Sequence, residues 1–237
     1  MTFKANETLG TIVAKFPKAA DIFHKYQIDY CCNGHKSLLE ASKSSEINIE
    51  TLIKELDKHY QVTNKASLNW NQASFTDLIN HILQAHHAYL QTKLPLISEN
   101  IKSLMRAHGH KHSELMDLFQ AFQSFRTDID MHLIKEETQQ YPAIELYIKS
   151  QDTKDLKDAI DVIDELENDH KGAGNLLSDM RHISNQYQLP EDACHTYEIT
   201  FNQLKELELN TFTHIHLENN ILFPRLKNLL NELTSQS

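Results

Sequence analysis

Four long stretches of the chain repeat apolar residues at helical spacing, and short polar turns separate them. The first begins at Ser74, where Asp77 three residues on makes a capping box just before the apolar run. This predicts a helix over about 74–106, with Pro95 expected to kink it. The polar, glycine-containing RAHGHKHSE follows as a loop. A second helix is predicted over about 112–149, with a break near Pro142. Asp152 is positioned to cap a third over 153–186, and Pro190 suits the first position of a fourth over 191–233. Long helices joined by short turns pack as antiparallel neighbours. The fold class is therefore all-α, an up-down-up-down four-helix bundle.

Ahead of the bundle, shorter apolar runs predict small helices over about 7–15, 17–26, 37–42 and 49–60, the second opened by Pro17. IDYCCNG interrupts them, with Asn33-Gly34 as a turn signal. Residues 61–73 are mostly polar, with Trp70 the bulkiest apolar residue, and read as a linker. The expected division is a small helical N-terminal domain at 1–65 carrying adjacent cysteines, and the bundle at 74–233.

Composition narrows the function. A formal net charge of −10 disfavours nucleic acid and anionic membrane surfaces, which are bound through Lys and Arg. No apolar run reaches the ~18 residues of a membrane helix, and no secretory leader is visible at the start, so a cytoplasmic location is expected. Three cysteines, two of them adjacent, are not a disulfide framework. The fifteen histidines stand out, because imidazole is the commonest metal ligand among side chains.

Two segments repeat each other. HLIKEETQQYP starts at His132 and HIHLENNILFP at His214; both read His-x-x-x-Glu with Pro six residues after the Glu. Residues four apart on a helix face the same way, about one turn along. His132 with Glu136, and His214 with Glu218, can each present an imidazole and a carboxylate to one point in a bundle interior. A third such pair, His110 with Glu114, lies in the polar loop, lacks the following Pro and reads as a chance match. Counted from the helix ends, His170 on the third helix and His86 or His87 on the first lie at the same depth, within about 9 Å at ~1.5 Å per residue. Depth alone does not choose between His86 and His87, and His81 is a weaker competitor. Four imidazoles and two bridging carboxylates suit two iron ions better than a zinc site, with an oxo or hydroxo bridge and an open position on each metal. A ferritin-type centre needs Glu-x-x-His on two helices. Only Glu167 with His170 fits, so that centre is disfavoured.

IDYCCNG at 28–34, HLIKEE at 132–137, ENDHKGAGNLL at 167–177 and HIHLENNILFP at 214–224 together resemble the repair of iron centres family, a hemerythrin-like di-iron group. The resemblance covers nearly the whole chain. By motif it selects His87, seven residues before the Leu of the Leu-Pro in QTKLP, and gives His87, His132, Glu136, His170, His214 and Glu218 as ligands. It implies a cytoplasmic protein that restores iron–sulfur clusters damaged by nitric oxide or peroxide, with damaged iron–sulfur proteins as partners and iron donated from the di-iron centre. Nitric oxide reduction, or binding of oxygen or nitric oxide as in hemerythrin, is the alternative, and a homodimer is compatible with the pattern. One departure is Asn33-Gly34 where the family often has Gly-Gly; Asn tolerates the left-handed backbone, so the turn is expected to persist. Cys31 and Cys32 are the candidate reactive thiols, although neighbours are not expected to bind one metal together easily. Cys194 is expected to be plain packing.

Overall fold

A computed structural model of the chain describes residues 2–63 and 69–235. The described residues open with four short helices: α1 (Leu9–Lys15), α2 (Ala19–Lys25), α3 (Leu38–Ser44) and α4 (Ile49–Thr63). The Thr8 side chain caps α1, and Ser37 with Glu40 forms a reciprocal capping box on α3. Pro17 does not open α2; it stands in the turn before it.

Four long helices follow. α5 runs Phe75–Ile82, passes through a π-helical turn at Leu83–His87 and continues as Ala88–His108. α6 is Glu114–Lys135, a π turn at Glu136–Gln140, then Tyr141–Ser150. α7 is Thr153–Asp161 and Ile163–Ile183, with a turn at Val162 between them. α8 is His195–Leu217, a π turn at Glu218–Leu222, then Phe223–Ser235. Ser74 caps α5 by accepting from the Asp77 backbone N–H at 3.0 Å, and Asp152 caps α7 through Lys154 N at 2.9 Å. Each long helix packs beside the next, and α8 closes the ring against α5.

α5 runs through Pro95 as expected, the proline lying on the exposed face where water can take the freed carbonyl. Several boundaries differ from expectation for identifiable reasons. α7 stops at Ile183 because Asn185, Gln186 and Tyr187 all adopt left-handed backbone, with φ of 48°, 62° and 54°. α8 starts at His195, not at Pro190, and Cys194 occupies its cap position. The break expected near Pro142 takes the form of a π turn, and Pro224 follows the same kind of turn. Proline lacks an N–H and crowds the carbonyl four residues back. A π turn immediately before it loosens that part of the ladder, which accounts for the Pro six residues after each Glu.

Two apolar clusters fill the interior. One holds Leu78, Ile82, Tyr141, Ile144, Leu166, Leu222 and Phe223. The other joins the far half of the bundle, including Leu94, Ile101, Phe122, Phe125 and Leu204, with Phe3, Leu9, Ile12, Phe23 and Tyr30 of the N-terminal helices. α1 lies against the π turn of α8, and α2 against the helix before it. Of the expected linker, 61–63 belongs to α4 and 64–68 lies outside the described residues. Trp70 stacks on His81 at 4.3 Å, while Arg225 donates to the carbonyls of Trp70 and Ala73.

The Cys-Cys turn is shaped by a close approach, not by left-handed backbone. Asn33 has no positive φ, and its side chain donates to Asp29 Oδ2 at 2.6 Å. A Cβ on Gly34 would come within 1.9 Å of Asn220 Oδ1, and one on Gly10 within 2.6 Å. Asn220 is itself tied down, donating to the Cys31 carbonyl at 2.9 Å. Gly34→Ala should therefore destabilise the fold by about 1–3 kcal/mol, as overpacking does. The loss should shrink in an Asn220→Ala background, measured by urea unfolding of the double-mutant cycle. An equal loss in both backgrounds would show that Asn220 is not what Gly34 avoids.

Candidate metal centre

The six side chains singled out by motif meet between the two apolar clusters, all of them buried. His87 ends the π turn of α5, and Glu136 and Glu218 each begin one, in α6 and α8. π turns recur at functional sites because the widened turn re-aims side chains. His132 and His214 sit one turn before their glutamates, and His170 comes from the middle of α7.

Their donor atoms form two groups, His132–Glu136–His170–Glu218 and His87–Glu136–His214, each compact enough to surround a cation. Glu136 belongs to both. Its Oε1 lies 2.7 Å from His132 Nε2, and its Oε2 lies 3.1 Å from His87 Nε2 and 3.5 Å from His214 Nε2. Glu218 Oε2 stands 3.1 Å from His170 Nε2 and 3.2 Å from His214 Nε2, so it too touches both groups. Its other oxygen accepts the Tyr141 hydroxyl at 2.7 Å.

These separations fit a metal. Two donors at about 2.1 Å from one ion and at a right angle stand roughly 3 Å apart. His132 Nε2 and His170 Nε2 are 3.0 Å apart, a contact that two imidazole lone pairs make unfavourable without a proton or cation between them. Both Glu136 oxygens, Glu218 Oε2 and His214 Nε2 are buried without a hydrogen-bond partner despite those short distances. Orphaned buried carboxylate oxygens are costly, and a cation satisfies them.

Further residues orient the imidazoles. His87 Nδ1 donates to Glu137 Oε1 at 2.8 Å, and His170 Nδ1 to Asn219 Oδ1 at 2.8 Å. Donation at Nδ1 leaves the Nε2 lone pair of each neutral ring directed into the site. Asn219 Nδ2 in turn reaches the Cys31 carbonyl at 3.5 Å, which sets the direction of its amide. His86 points elsewhere: its Nδ1 meets Asn210 Oδ1 at 3.2 Å, and its ring stacks on His214. Burial lowers its pKa to about 3. His81 is under Trp70, and His110 with Glu114 plays no part. Neither Glu137 nor Asn219 was singled out in the sequence, although each directly follows a ligand glutamate in the repeated motifs. Tyr141 was also missed; it is the residue before Pro142.

The buried carboxylates and imidazoles shift one another's proton affinities. Burial alone would raise Glu136, but His132, His214 and His170 around it hold it well below the usual carboxylate range. Glu218 is pushed up by burial and by Glu136, yet His214 and His170 outweigh both and lower it. Burial works against charged His170 and His214, and the two glutamates overcome it, raising them to about 10 and about 9.

The cysteines lie outside the two donor groups formed by the six clustered side chains. Cys31 is buried, Cys32 half-buried and Cys194 exposed. Burial, then Cys32, pushes the Cys31 thiol well above its ordinary value, so it is not a spontaneous thiolate. Cys194 is not packed in a core; its Sγ lies 3.2 Å from His108 Nε2 at the far end of the bundle.

A ring of four helices closing on buried imidazoles and shared carboxylates defines a cation-binding bundle. Residues 78–226 match the hemerythrin HHE cation binding domain, and 5–60 match a domain of unknown function (DUF542). The chain is 33% identical to the iron-sulfur cluster repair protein ScdA of Staphylococcus haemolyticus, over 92% of this chain and 97% of that one. It is 31% identical to the iron-sulfur cluster repair protein YtfE of Escherichia coli, over 93% of this chain and 96% of that one. The chain belongs to this hemerythrin-type repair family.

Metal uptake through these imidazoles would have to displace protons from His170 and His214. Their raised values mean both rings are protonated at pH 7, so binding should release protons and tighten as pH rises toward about 9. Calorimetry in buffers of differing ionisation heat measures the release. No release at pH 7 would contradict this picture.

Proposed function

We propose that His87, His132, Glu136, His170, His214 and Glu218 hold two iron ions, and that the chain repairs iron–sulfur clusters damaged by nitric oxide or oxidants. One observation carries the two-metal reading: both donor groups share Glu136, which presents a different oxygen to each. Each ion would have two imidazoles and share both carboxylates, a nitrogen–oxygen set that suits iron. Iron bound there would supply a labile ion for rebuilding clusters and a redox-active centre for a diatomic ligand such as nitric oxide. Glu137 and Asn219 hold two of the imidazoles in the binding tautomer, and Tyr141 fixes one oxygen of Glu218. The repair role is supported by the relatives named for it, which the chain matches along nearly its whole length.

The division into residues 1–65, which present the thiol pair, and 74–233, which hold the irons, belongs to the same proposal. So does a cytoplasmic setting, where the free Cys31, Cys32 and Cys194 stay reduced. Among the described residues no helix is long and apolar enough to cross a membrane. A gas carrier fits less well: a carrier would need a fifth imidazole, and the nearest, His86, is directed to Asn210.

Anaerobically purified protein should contain about two irons per chain, the number the two donor groups accommodate. Glu136→Ala and Glu218→Ala should each lose iron or hold it weakly, whereas Glu114→Ala alters only a surface pair with His112 and should change nothing. His87→Ala should lose at least one iron and His86→Ala neither, as read by elemental analysis. One zinc and no iron would sink the reading.

The function itself is tested by adding the loaded protein to a nitric-oxide-inactivated iron–sulfur enzyme. Activity should return faster than with Glu136→Ala protein. Equal rates would separate repair from the bundle's metal.

A further inference from the structure

The turn at residues 29–33 gathers three donor atoms outside the bundle centre. Cys31 Sγ lies 3.9 Å from Cys32 Sγ and 3.2 Å from Asp29 Oδ1, and the three together are compact enough to surround a cation. A tetrahedral ion with metal–sulfur bonds of about 2.3 Å puts its two sulfurs about 3.8 Å apart. The thiols therefore already stand at chelating distance, contrary to the expectation for sequence neighbours. They are far from the ~2.05 Å of a disulfide. Asp29 is preorganised: its Oδ1 also accepts the backbone N–H groups of Cys31 at 3.1 Å and Cys32 at 2.9 Å. Its third donor is the Cys31 S–H, the one interaction a cation would replace.

The turn opens on a cavity of about 460 Å³ whose wall includes Asp29, Cys31, Cys32, His35 and Lys171. Opposite Cys32 stands Gly174, where even a Cβ would remain 3.9 Å from the sulfur. The cavity is thus open beside the thiols, with room for a further ligand from outside. Lys171 on its wall favours an anionic one, such as a carboxylate or thiolate.

We propose that Asp29, Cys31 and Cys32 form a second cation site, distinct from the bundle centre, that takes one thiophilic divalent ion such as ferrous iron and leaves a coordination position open to the cavity. Binding forms two metal–sulfur bonds and one metal–oxygen bond, and the two thiol protons leave to solvent; nothing is oxidised or reduced. The site is one residue from the bundle ligands, because Asn219 bonds both His170 and the Cys31 carbonyl. Its use as the point where iron is presented to an acceptor rests on the repair function proposed above; its existence does not.

Cobalt(II) titrated into the metal-free full-length protein, carrying Cys194→Ser to remove the remaining thiol, tests the site. The bundle ligands contain no sulfur, so a thiolate-to-cobalt charge-transfer band can come only from Cys31 and Cys32. The band should appear and level off at the intensity of one dithiolate-bound ion, whatever further cobalt the bundle takes up. It should be absent from the Cys31→Ser, Cys32→Ser protein. Asp29→Asn keeps the acceptor for the two backbone N–H groups but removes the charge, and should weaken binding by about tenfold. A thiolate band that persists when Glu136→Ala has emptied the bundle would support a site independent of the bundle centre, whereas a thiolate band in protein whose intact bundle takes up no metal would support the site while counting against the di-iron reading. No thiolate band in the protein with both cysteines intact, or identical affinity in Asp29→Asn, would overturn the proposal.

Discussion

Two carboxylates buried in a dry helical interior are the constraint on which this structure turns. Glu136 and Glu218 are both fully buried, and isolated ionised carboxylates are among the costliest groups to remove from water. Each must be met by positive charge at contact distance. Two helices can bring the carboxylates and two imidazoles, but His87 and His170 must come from the other two, so the ring of four is a requirement of the charge balance. The flanking apolar clusters exclude water, which strengthens every interaction at the centre and raises the cost of leaving any donor unpaired. The two glutamates raise the proton affinity of His170 and His214, so protons there can supply that balance. Cations at the proposed site would supply it through the same donors.

The parts of this plan that repeat were legible in the chain. His132 with Glu136 and His214 with Glu218 could be read because helical spacing converts a four-residue interval into a shared direction. Their prolines marked where each helix departs from α geometry. The departure itself, a π turn, has no residue signature of its own, and α5 carries one at Leu83–His87 with no proline near its end. Helical depth could not separate His86 from His87, since adjacent residues differ by about 100° in direction and only ~1.5 Å in height. The rotation through the π turn decides which ring faces inward. Asn33 was assigned a backbone role it does not have. The restriction at Gly34 comes from Asn220, far away in sequence, and no local pattern reports it. The start of α8 was misplaced because Pro190 is a permissive opener of turns as well as helices: it begins a turn closed by the Ala193 N–H on its carbonyl, and the helix starts only after Cys194.

The sequence Glu218-Asn219-Asn220 ties the two parts of the chain to one turn. Glu218 points into the metal centre. Asn219 accepts from His170 and reaches the Cys31 carbonyl. Asn220 donates to that carbonyl at 2.9 Å and fills the space that Gly10 and Gly34 leave open. Three consecutive side chains thus contact a ligand pocket, a ligand's outer nitrogen and the backbone of the thiol turn. The N-terminal helices are consequently part of the centre's support. The Cys31 carbonyl holds the Asn219 amide in the direction that presents Oδ1 to His170, and that bond selects the tautomer with its lone pair on Nε2. An ordinary α-turn would direct these three residues about 100° apart around the helix. The π turn changes that spacing at the point where one segment must serve the bundle interior and the docked helices together.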